Sequence, residues 1–380
     1  MGLAFVNGEI LTPEGFVRDR VLLVEGARIE DLVTADDPRV AKATRVELDG
    51  RLLLPGFIDT QVNGGGGVLF NDSPAVGGVR AIGAAHSRFG TTGFLPTLIS
   101  DDVDTLECAI RAVDEAIAAD VPGVLGIHIE GPFVSQVRRG VHDASHIRKL
   151  DVDFVALLST LKRGVKLMTL APEVTTPEFL ARLTAAGIVL AAGHTDATYA
   201  EIETARRHGL RGFTHLFNAM SQLTAREPGA VGAALSDEDT YCGMIVDGKH
   251  VDPTVLKLAL RAKRHDRFML VTDAMSTVGT EERTFTLQGR TIQVEDSYCI
   301  DENGTLAGTA LDMSRAVRNA ITLLGVSREE AVRMASEYPA DFLGLSGSHG
   351  RLARGCRADL VIANEDVVVG ETWIGGMRVF

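Results

Sequence analysis

The stretch IVLAAGHTDATYAEIETARRHGLRGFTHLFNAM, residues 188–220, indicates how this chain folds. Two short apolar runs within it, IVLAA and GFT, each lead into a histidine, His194 and His215. Between them, residues 199–208 alternate apolar and polar positions with the period of a helix. The pattern predicts a strand, a helix and a second strand, with an imidazole at the carboxyl end of each strand.

The same alternation of strands and helices extends in both directions from this stretch. Eight apolar runs are predicted to be strands: residues 56–63, 90–100, 124–133, 165–173, 188–194, 212–218, 241–250 and 268–275. Eight β/α units in series predict an α/β fold, a (β/α)8 TIM barrel over residues 56–345. Residues 283–308 alternate with the period of a strand, which predicts a β-hairpin insertion over the top of the barrel.

The two ends of the chain have a different sequence pattern from the middle. Residues 1–55 consist of short alternating runs separated by turns such as Asn7-Gly8 and Asp49-Gly50, and residues 346–380 have the same character. Because neither end can close a core alone, we expect both to join in one small, discontinuous β-sandwich domain. Two unrelated β decorations would be the alternative.

The composition limits the classes of partner. A net charge of −13 argues against nucleic acid or an anionic membrane as the main partner. The four cysteines are scattered without a CxxC pair, as in reduced cytoplasmic proteins. No apolar run approaches the roughly 18–20 residues of a membrane span, and the first residues do not resemble a signal peptide. We therefore expect a cytoplasmic protein with a small-molecule substrate.

A metal site is predicted where the strands end. Glu130 ends the third strand, and a carboxylate beside His194 and His215 completes a set of three ligands. Three protein ligands leave one position open, which is typical of a catalytic zinc site. A salt-bridged glutamate and packed histidines are the alternatives. His128 lies two residues before Glu130 and is interpreted as a core or supporting histidine.

Two further strand ends carry polar side chains. Asp273 ends the eighth strand, where it could take a proton from water and return it to a leaving group. It could instead be a fourth ligand or a helix N-cap. Gln61 and Asn63 end the first strand and face the same side. Since amides are poor ligands compared with imidazole, we expect them to hydrogen-bond a ligand or the loop rather than hold a second metal.

Nine motifs together resemble the amidohydrolase superfamily and, within it, the N-acetylglucosamine-6-phosphate deacetylase family. They are PGFIDTQVNGGGG, GIHIEGPF, AAGHTDA, THLFNAM, REPG, DGKH, LVTDAM, LAGTALDM and YPADFLG, and they span residues 55–344. Many amidohydrolases carry His-x-His on the first strand, where this chain has Gln61 and Asn63. The resemblance therefore implies one divalent metal, usually zinc, with iron (Fe2+) or another divalent ion as the alternative.

The resemblance also implies roles for particular residues. Glu130, His194 and His215 would bind the metal, Asp273 would be the acid/base, and His142 would polarise the acetamide carbonyl. Substrate contacts would come from Val141, His142, Asn218, Ala219, Arg226, Asp247, Gly248, Lys249, His250, Leu306, Ala307 and Gly308. Arg226 would reach the phosphate bound to a neighbouring subunit, which implies a homodimer.

The activity implied by the resemblance is hydrolysis of N-acetyl-D-glucosamine 6-phosphate to D-glucosamine 6-phosphate and acetate. This reaction belongs to amino-sugar catabolism and cell-wall recycling. Three alternatives stay open at this point: a deacetylase for the galactosamine epimer, a hydrolase of cyclic amides or dipeptides, and a non-catalytic scaffold with the same fold.

Overall fold

A barrel of eight parallel strands forms the centre of the molecule. A computed structural model describes residues 2–380. The strands pair in chain order, and the N–H of Asp273 donates to the carbonyl of Gln61 at 3.1 Å, which links the eighth strand to the first. The predicted TIM barrel is confirmed. The eight barrel strands are Phe57–Val62, Thr91–Ile99, Gly126–Glu130, Val165–Leu170, Ile188–Ala192, Leu210–Phe213, Tyr241–Met244 and Phe268–Leu270.

Helices cover the outside of the barrel. The second one begins after Asp102, whose side chain accepts a hydrogen bond from the N–H of Thr105, and it buries Leu106, Ile110 and Val113 on one face. The helices are Val76–Ser87, Val103–Ala118, Val152–Leu158, Pro177–Ala185, Tyr199–Arg207, Gly229–Ser236, Pro253–Ala262, Met313–Asn319, Arg328–Met334 and Glu337–Phe342, with a π-helical turn at Ala320–Leu324. Short 3₁₀ turns lie at Val40–Lys42, Pro172–Val174 and His265–Arg267.

Both chain ends build one small β-sandwich beside the barrel, and the predicted fold class is confirmed. Its core includes Phe5, Leu22, Leu53 and Leu360, all fully buried, and the Phe5 ring packs edge-on against Trp373 at 5.3 Å between centroids. One sheet contains Leu3–Val6, Val21–Glu25, Arg28–Val33 and Thr44–Glu47; the other contains Glu9–Thr12, Gly15–Val17, Leu52–Pro55, Leu360–Ala363, Val369–Ile374 and Met377–Arg378.

The insertion after the eighth strand is larger than the predicted hairpin. It forms a four-stranded antiparallel sheet, because further turns after Glu295 and Asp301 add two strands: Thr284–Leu287, Arg290–Glu295, Tyr298–Asp301 and Leu306–Thr309. Thr309 exchanges backbone hydrogen bonds with the end of the eighth barrel strand, since its N–H donates to Asp273 at 2.9 Å and its carbonyl accepts from Met275 at 2.8 Å. The sheet is thus fixed to the carboxyl end of the barrel.

Two minor features complete the description. A short hairpin follows the first barrel strand, with two strands of two residues each, Gly64–Gly65 and Val68–Leu69. Within residues 2–380, none of the helices combines the length and the apolar character needed to span a bilayer.

Candidate metal centre

The three predicted ligand residues meet at the carboxyl end of the barrel. The Oε1 atom of Glu130 lies 3.2 Å from Nε2 of His194 and 2.9 Å from Nε2 of His215. The two Nε2 atoms are 3.1 Å apart. All three side chains are buried, so their ligand atoms point at one another in a space largely closed to solvent.

Backbone geometry helps to bring these side chains together. His194, His215 and Asp273 have φ values of +48°, +34° and +52°, in the left-handed region that residues other than glycine rarely adopt. Each of them follows a barrel strand, and the left-handed conformation ends the extended backbone so that the side chain can turn over the barrel axis. Strain of this kind concentrates at functional sites.

The donor set fits a divalent cation. The carbonyl of Arg138 lies 2.9 Å from Nδ1 of His194. Because a carbonyl only accepts hydrogen bonds, Nδ1 carries the proton and Nε2 presents a lone pair. That lone pair faces the carboxylate oxygen of Glu130, an arrangement that is repulsive without a positive charge between the two atoms.

The distances also suit such an ion. Ligand atoms about 2.0–2.2 Å from a tetrahedral zinc ion lie about 3.3–3.6 Å from one another, and the three distances here are within about 0.5 Å of that spacing. Burial favours the neutral form of Glu130, but the close imidazoles of His194 and His215 outweigh burial and hold the pKa of Glu130 well below its usual range. Two imidazoles and one ionised carboxylate are the donor set of a catalytic zinc site.

Asp273 lies beside this cluster and is held by the two amides of the first strand. Asn63 Nδ2 donates to Asp273 Oδ1 at 2.6 Å, and Gln61 Nε2 donates to the same oxygen at 3.2 Å. Gln61 Nε2 also lies 3.1 Å from both carboxylate oxygens of Glu130. Burial raises the pKa of Asp273 to about 6, and the negative charge of Glu130 adds to this rise.

His142 packs against the metal cluster from the neighbouring loop. Its ring centre is 4.4 Å from that of His194, and its Nδ1 atom lies 2.7 Å from the hydroxyl of Ser100. Burial lowers the pKa of His142 to about 3. The ring is therefore neutral at physiological pH and can offer a hydrogen bond without carrying charge.

A cavity of about 330 Å³ opens in front of these side chains, within the size range of small-molecule sites. Most of the predicted site residues line it: Asn63, Glu130, Val141, His142, His194, His215, Asn218, Ala219, His250, Asp273, Leu306, Ala307 and Gly308. The insertion sheet supplies Leu306–Gly308, so the sheet forms part of the cavity wall.

Other predicted residues do not line this cavity. Asp247 instead accepts a hydrogen bond from Nδ1 of His250 at 2.6 Å and so orients that ring. Gly248 and Lys249 are exposed, and the Lys249 ammonium lies 5.0 Å above the Tyr298 ring. Arg226 is exposed in the loop after the sixth strand and does not line the cavity.

His128 is bound by two threonines and is not part of the metal cluster. Its ring lies between the hydroxyls of Thr97, at 3.1 Å from Nδ1, and Thr169, at 2.8 Å from Nε2. Burial lowers its pKa to about 4. His128 is thus a neutral core histidine, one of the two interpretations that the sequence allowed.

Some contributors to the site were not predicted from the sequence. The backbone carbonyl of Arg138 orients the ring of His194. Such a contact does not depend on the type of side chain, so the sequence pattern does not reveal it. Ser100 holds His142 across 42 positions of sequence. The Ser100 side chain follows a predicted strand, but a strand-end serine is too common to be a signal by itself.

Comparisons with known proteins agree with this geometry. The sequence profile of the Amidohydrolase family matches residues 52–379. The chain is 44% identical over 343 residues to a Shewanella sp. (strain ANA-3) protein named N-acetylgalactosamine-6-phosphate deacetylase, covering 90% of this chain and 85% of that protein. It is 36% identical to a Homo sapiens N-acetylglucosamine-6-phosphate deacetylase, covering 100% of this chain and 95% of the relative.

A solved structure shows the same architecture throughout. The N-acetylglucosamine-6-phosphate deacetylase from Pasteurella multocida superposes with a TM-score of 0.95 at 33% identity, covering 100% of this chain and 99% of that one. The motifs, the barrel and the cluster of Glu130, His194 and His215 therefore agree with the comparisons: the chain belongs to the amidohydrolase family and, within it, to the N-acetylglucosamine-6-phosphate deacetylases.

Proposed function

We propose that this enzyme hydrolyses the acetamide of N-acetyl-D-glucosamine 6-phosphate to D-glucosamine 6-phosphate and acetate, a step of amino-sugar catabolism and cell-wall recycling. The observation that carries the proposal is the convergence of Glu130, His194 and His215 beside Asp273 in one cavity. The names of relatives that align along nearly the whole chain support the choice of substrate.

Glu130, His194 and His215 would hold one divalent ion per subunit, which we propose to be zinc, with Fe2+ or another divalent ion as the alternative. Such an ion polarises a carbonyl and lowers the pKa of a water molecule toward about 7. Asp273 accepts the proton of the attacking water and then delivers it to the departing amine. Asp273 suits both transfers because Asn63 and Gln61 hold its carboxylate beside the three ligands.

His142 would donate to the carbonyl oxygen of the substrate as negative charge develops there. Asn218, Ala219 and His250 would contact the phosphosugar from the sixth and seventh strand ends, and Leu306–Gly308 would pack against the sugar. These assignments rest on the positions of the side chains around the cavity and on the motifs that contain them.

We also propose a homodimer in which Arg226 of one subunit reaches the phosphate in the site of the other. A guanidinium suits this role because its paired N–H donors match phosphate oxygens. Support comes from the exposure of Arg226 outside the cavity of its own chain. A cytoplasmic location is proposed because all four cysteines are unpaired.

Acetate release tests the proposal. The purified enzyme is assayed with the glucosamine and galactosamine substrates side by side, after treatment with a chelator and after zinc, Fe2+ or another divalent metal is restored. The galactosamine epimer is included because the Shewanella relative carries its name. We expect activity that the chelator abolishes and metal restores, with the higher kcat/KM for the glucosamine substrate. Equal rates on an unphosphorylated acetamide would contradict the proposal.

A further inference from the structure

The Nδ1 atom of His142 faces two donors of Ser100. The hydroxyl of Ser100 is 2.7 Å from it, and the backbone N–H of Ser100 points to the same nitrogen at 3.4 Å. Because a backbone N–H can only donate, Nδ1 must present its lone pair. The single proton of the neutral ring is therefore on Nε2, in a residue that lines the cavity.

Gln288, in the insertion sheet, hydrogen-bonds the backbone on both sides of the Ser100–His142 contact. Gln288 lies in the tight turn between the first two strands of that sheet, with φ of +47°. Its Nε2 donates to the carbonyl of Ser100 at 2.8 Å, and its Oε1 accepts from the N–H of Asp143 at 3.0 Å. One amide thus joins Ser100 to the residue that follows His142.

Gly131 leaves the space that the Ser100 hydroxyl needs. A Cβ atom at position 131 would lie 2.3 Å from Ser100 Oγ, and the φ of Gly131 is +89°. A side chain there would displace the hydroxyl from His142. The glycine that directly follows the ligand Glu130 therefore serves the Ser100–His142 contact.

We propose that Ser100 and Gln288 are positioning residues that fix His142 as the tautomer with its proton on Nε2. This inference rests on the proposed function, in which that N–H donates to the substrate carbonyl oxygen. Neither Ser100 nor Gln288 lines the cavity, so both act through His142. The insertion sheet accordingly supports the catalytic geometry in addition to covering the site.

Steady-state kinetics give the first test. Ser100→Ala removes the hydroxyl donor and is expected to lower kcat by about 10- to 100-fold, as for other groups that orient an active-site imidazole. KM and the bound metal per chain should stay unchanged, and Ser100→Thr should recover most of kcat. Gln288→Ala should lower kcat in the same way but less.

Two matched controls separate this effect from general damage. Ser336 is also buried, and its hydroxyl bonds only to the carbonyl of Val332, so Ser336→Ala should keep kcat. Gln293 is exposed on the same insertion sheet as Gln288, and Gln293→Ala should keep it as well.

Nitrogen NMR of the zinc-loaded enzyme with ¹⁵N-labelled histidine gives the second test, and loss of one signal set in His142→Gln assigns that residue. We expect wild-type His142 to be protonated on Nε2 alone. In Ser100→Ala only the longer backbone N–H contact, at 3.4 Å, remains at Nδ1, so a measurable fraction of the ring should shift toward Nδ1 protonation. Wild-type protonation on Nδ1, or a Ser100→Ala variant with unchanged tautomer, would overturn the inference. Absence of acetate release by the wild-type enzyme would instead refute the proposed function, because the tautomer is measured without turnover.

Discussion

At the scale of single residues, Asp273 is the side chain that we propose to transfer the proton. It follows the eighth strand in the left-handed conformation, and Asn63 and Gln61 both donate to its Oδ1 atom. These bonds hold the carboxylate beside the three ligands without placing it among them. The same contacts explain why amides stand on the first strand: Gln61 and Asn63 orient Asp273, and Gln61 also binds Glu130.

Replacing Asp273 by asparagine should remove proton transfer and keep the shape of the site. We expect kcat to fall by about 10²- to 10⁴-fold, the usual contribution of general acid–base catalysis. Bound metal and thermal stability should be retained. The measurements are acetate release and metal content of Asp273→Asn, with Asp366→Asn as a control, because Asp366 is exposed and does not line the cavity. A near-normal kcat in Asp273→Asn would refute the assigned role.

The sequence predicted the ligand residues because each follows a recognisable strand. Apolar runs locate the strand ends, and a parallel barrel gathers those ends in one place, so Glu130, His194 and His215 had to be neighbours. Contacts such as Ser100 with His142 depend on loop conformation instead. No periodicity encodes them, and they became visible only in the structure.

At the scale of elements, the helix Val76–Ser87 is tied to the loop after the first strand through His86. The ring is fully buried, and its Nε2 donates to the carbonyl of Gly64 at 2.9 Å. Gly65 allows this approach, since a Cβ there would lie 2.9 Å from the ring. Burial lowers the pKa of His86 to about 4. The glycine-rich loop is therefore packed against a neutral imidazole.

This contact predicts a pH dependence of stability. In the unfolded chain His86 takes up a proton near pH 6.5, whereas in the folded protein it stays neutral down to about pH 4. Between these values the unfolded state binds more protons, so the free energy of unfolding falls as pH falls. From pH 7 to pH 5 the loss is about 2 kcal/mol.

The comparison with His86→Gln isolates this residue, because all other titrating groups are common to both proteins. The free energy of unfolding is measured with denaturant at several pH values for both proteins. Its value for the variant relative to the wild type should rise by about 2 kcal/mol as the pH is lowered from 7 to 5. A difference that does not vary with pH would mean that His86 has the same pKa in the folded protein as in the unfolded chain.

The insertion sheet shows where prediction from sequence was incomplete. The alternating pattern of residues 283–308 correctly indicated β structure, but a hairpin was expected and four strands are present. The added strands, Tyr298–Asp301 and Leu306–Thr309, are short and contain few strongly apolar residues. They are stabilised by pairing with their neighbours and with the barrel, which a single-strand pattern does not reveal.

At the scale of the whole molecule, the terminal sandwich has an apolar core of its own around Phe5. The other face of its six-stranded sheet, with Leu54 and Val361, packs into the core of the barrel. The strand Leu52–Pro55 pairs antiparallel with Leu360–Ala363, so distant parts of the sequence share one sheet. Both ends have the same pattern of short alternating runs separated by turns, and this similarity made the joint domain predictable. Register and pairing order were not predictable, because several short strands offer equivalent alternatives.

Because Phe5 lies in the core of the sandwich and not in that of the barrel, its truncation is expected to leave the chemistry intact. Phe5→Ala should lower the free energy of unfolding by about 3–5 kcal/mol, the usual cost of deleting a buried phenylalanine side chain, without changing kcat at 25 °C. Denaturant unfolding and acetate release measure the two effects, and Met377→Ala, at a 67% exposed position, should change neither. A loss of kcat in folded Phe5→Ala would show that the two units are coupled.

The proposed role of Arg226 connects the site to the oligomeric state. Arg226→Ala should raise KM for the phosphosugar strongly and leave bound metal unchanged, because the paired N–H donors to phosphate are lost. If Arg226 acts across a dimer, mixing Arg226→Ala with Asp273→Asn chains should restore sites of normal KM. In a mixed dimer, the chain with intact Asp273 receives Arg226 from its partner. If the mixtures show no such recovery, Arg226 either acts on the substrate bound to its own chain or does not contact substrate at all.

The most direct measurement is metal stoichiometry by mass spectrometry of the purified protein, combined with acetate release. The wild-type enzyme should hold one divalent ion per chain. Glu130→Gln and His194→Asn should fold, lose the ion and lose activity together. Two ions per chain, or full metal content in both variants, would contradict a site in which Glu130, His194 and His215 share a single cation.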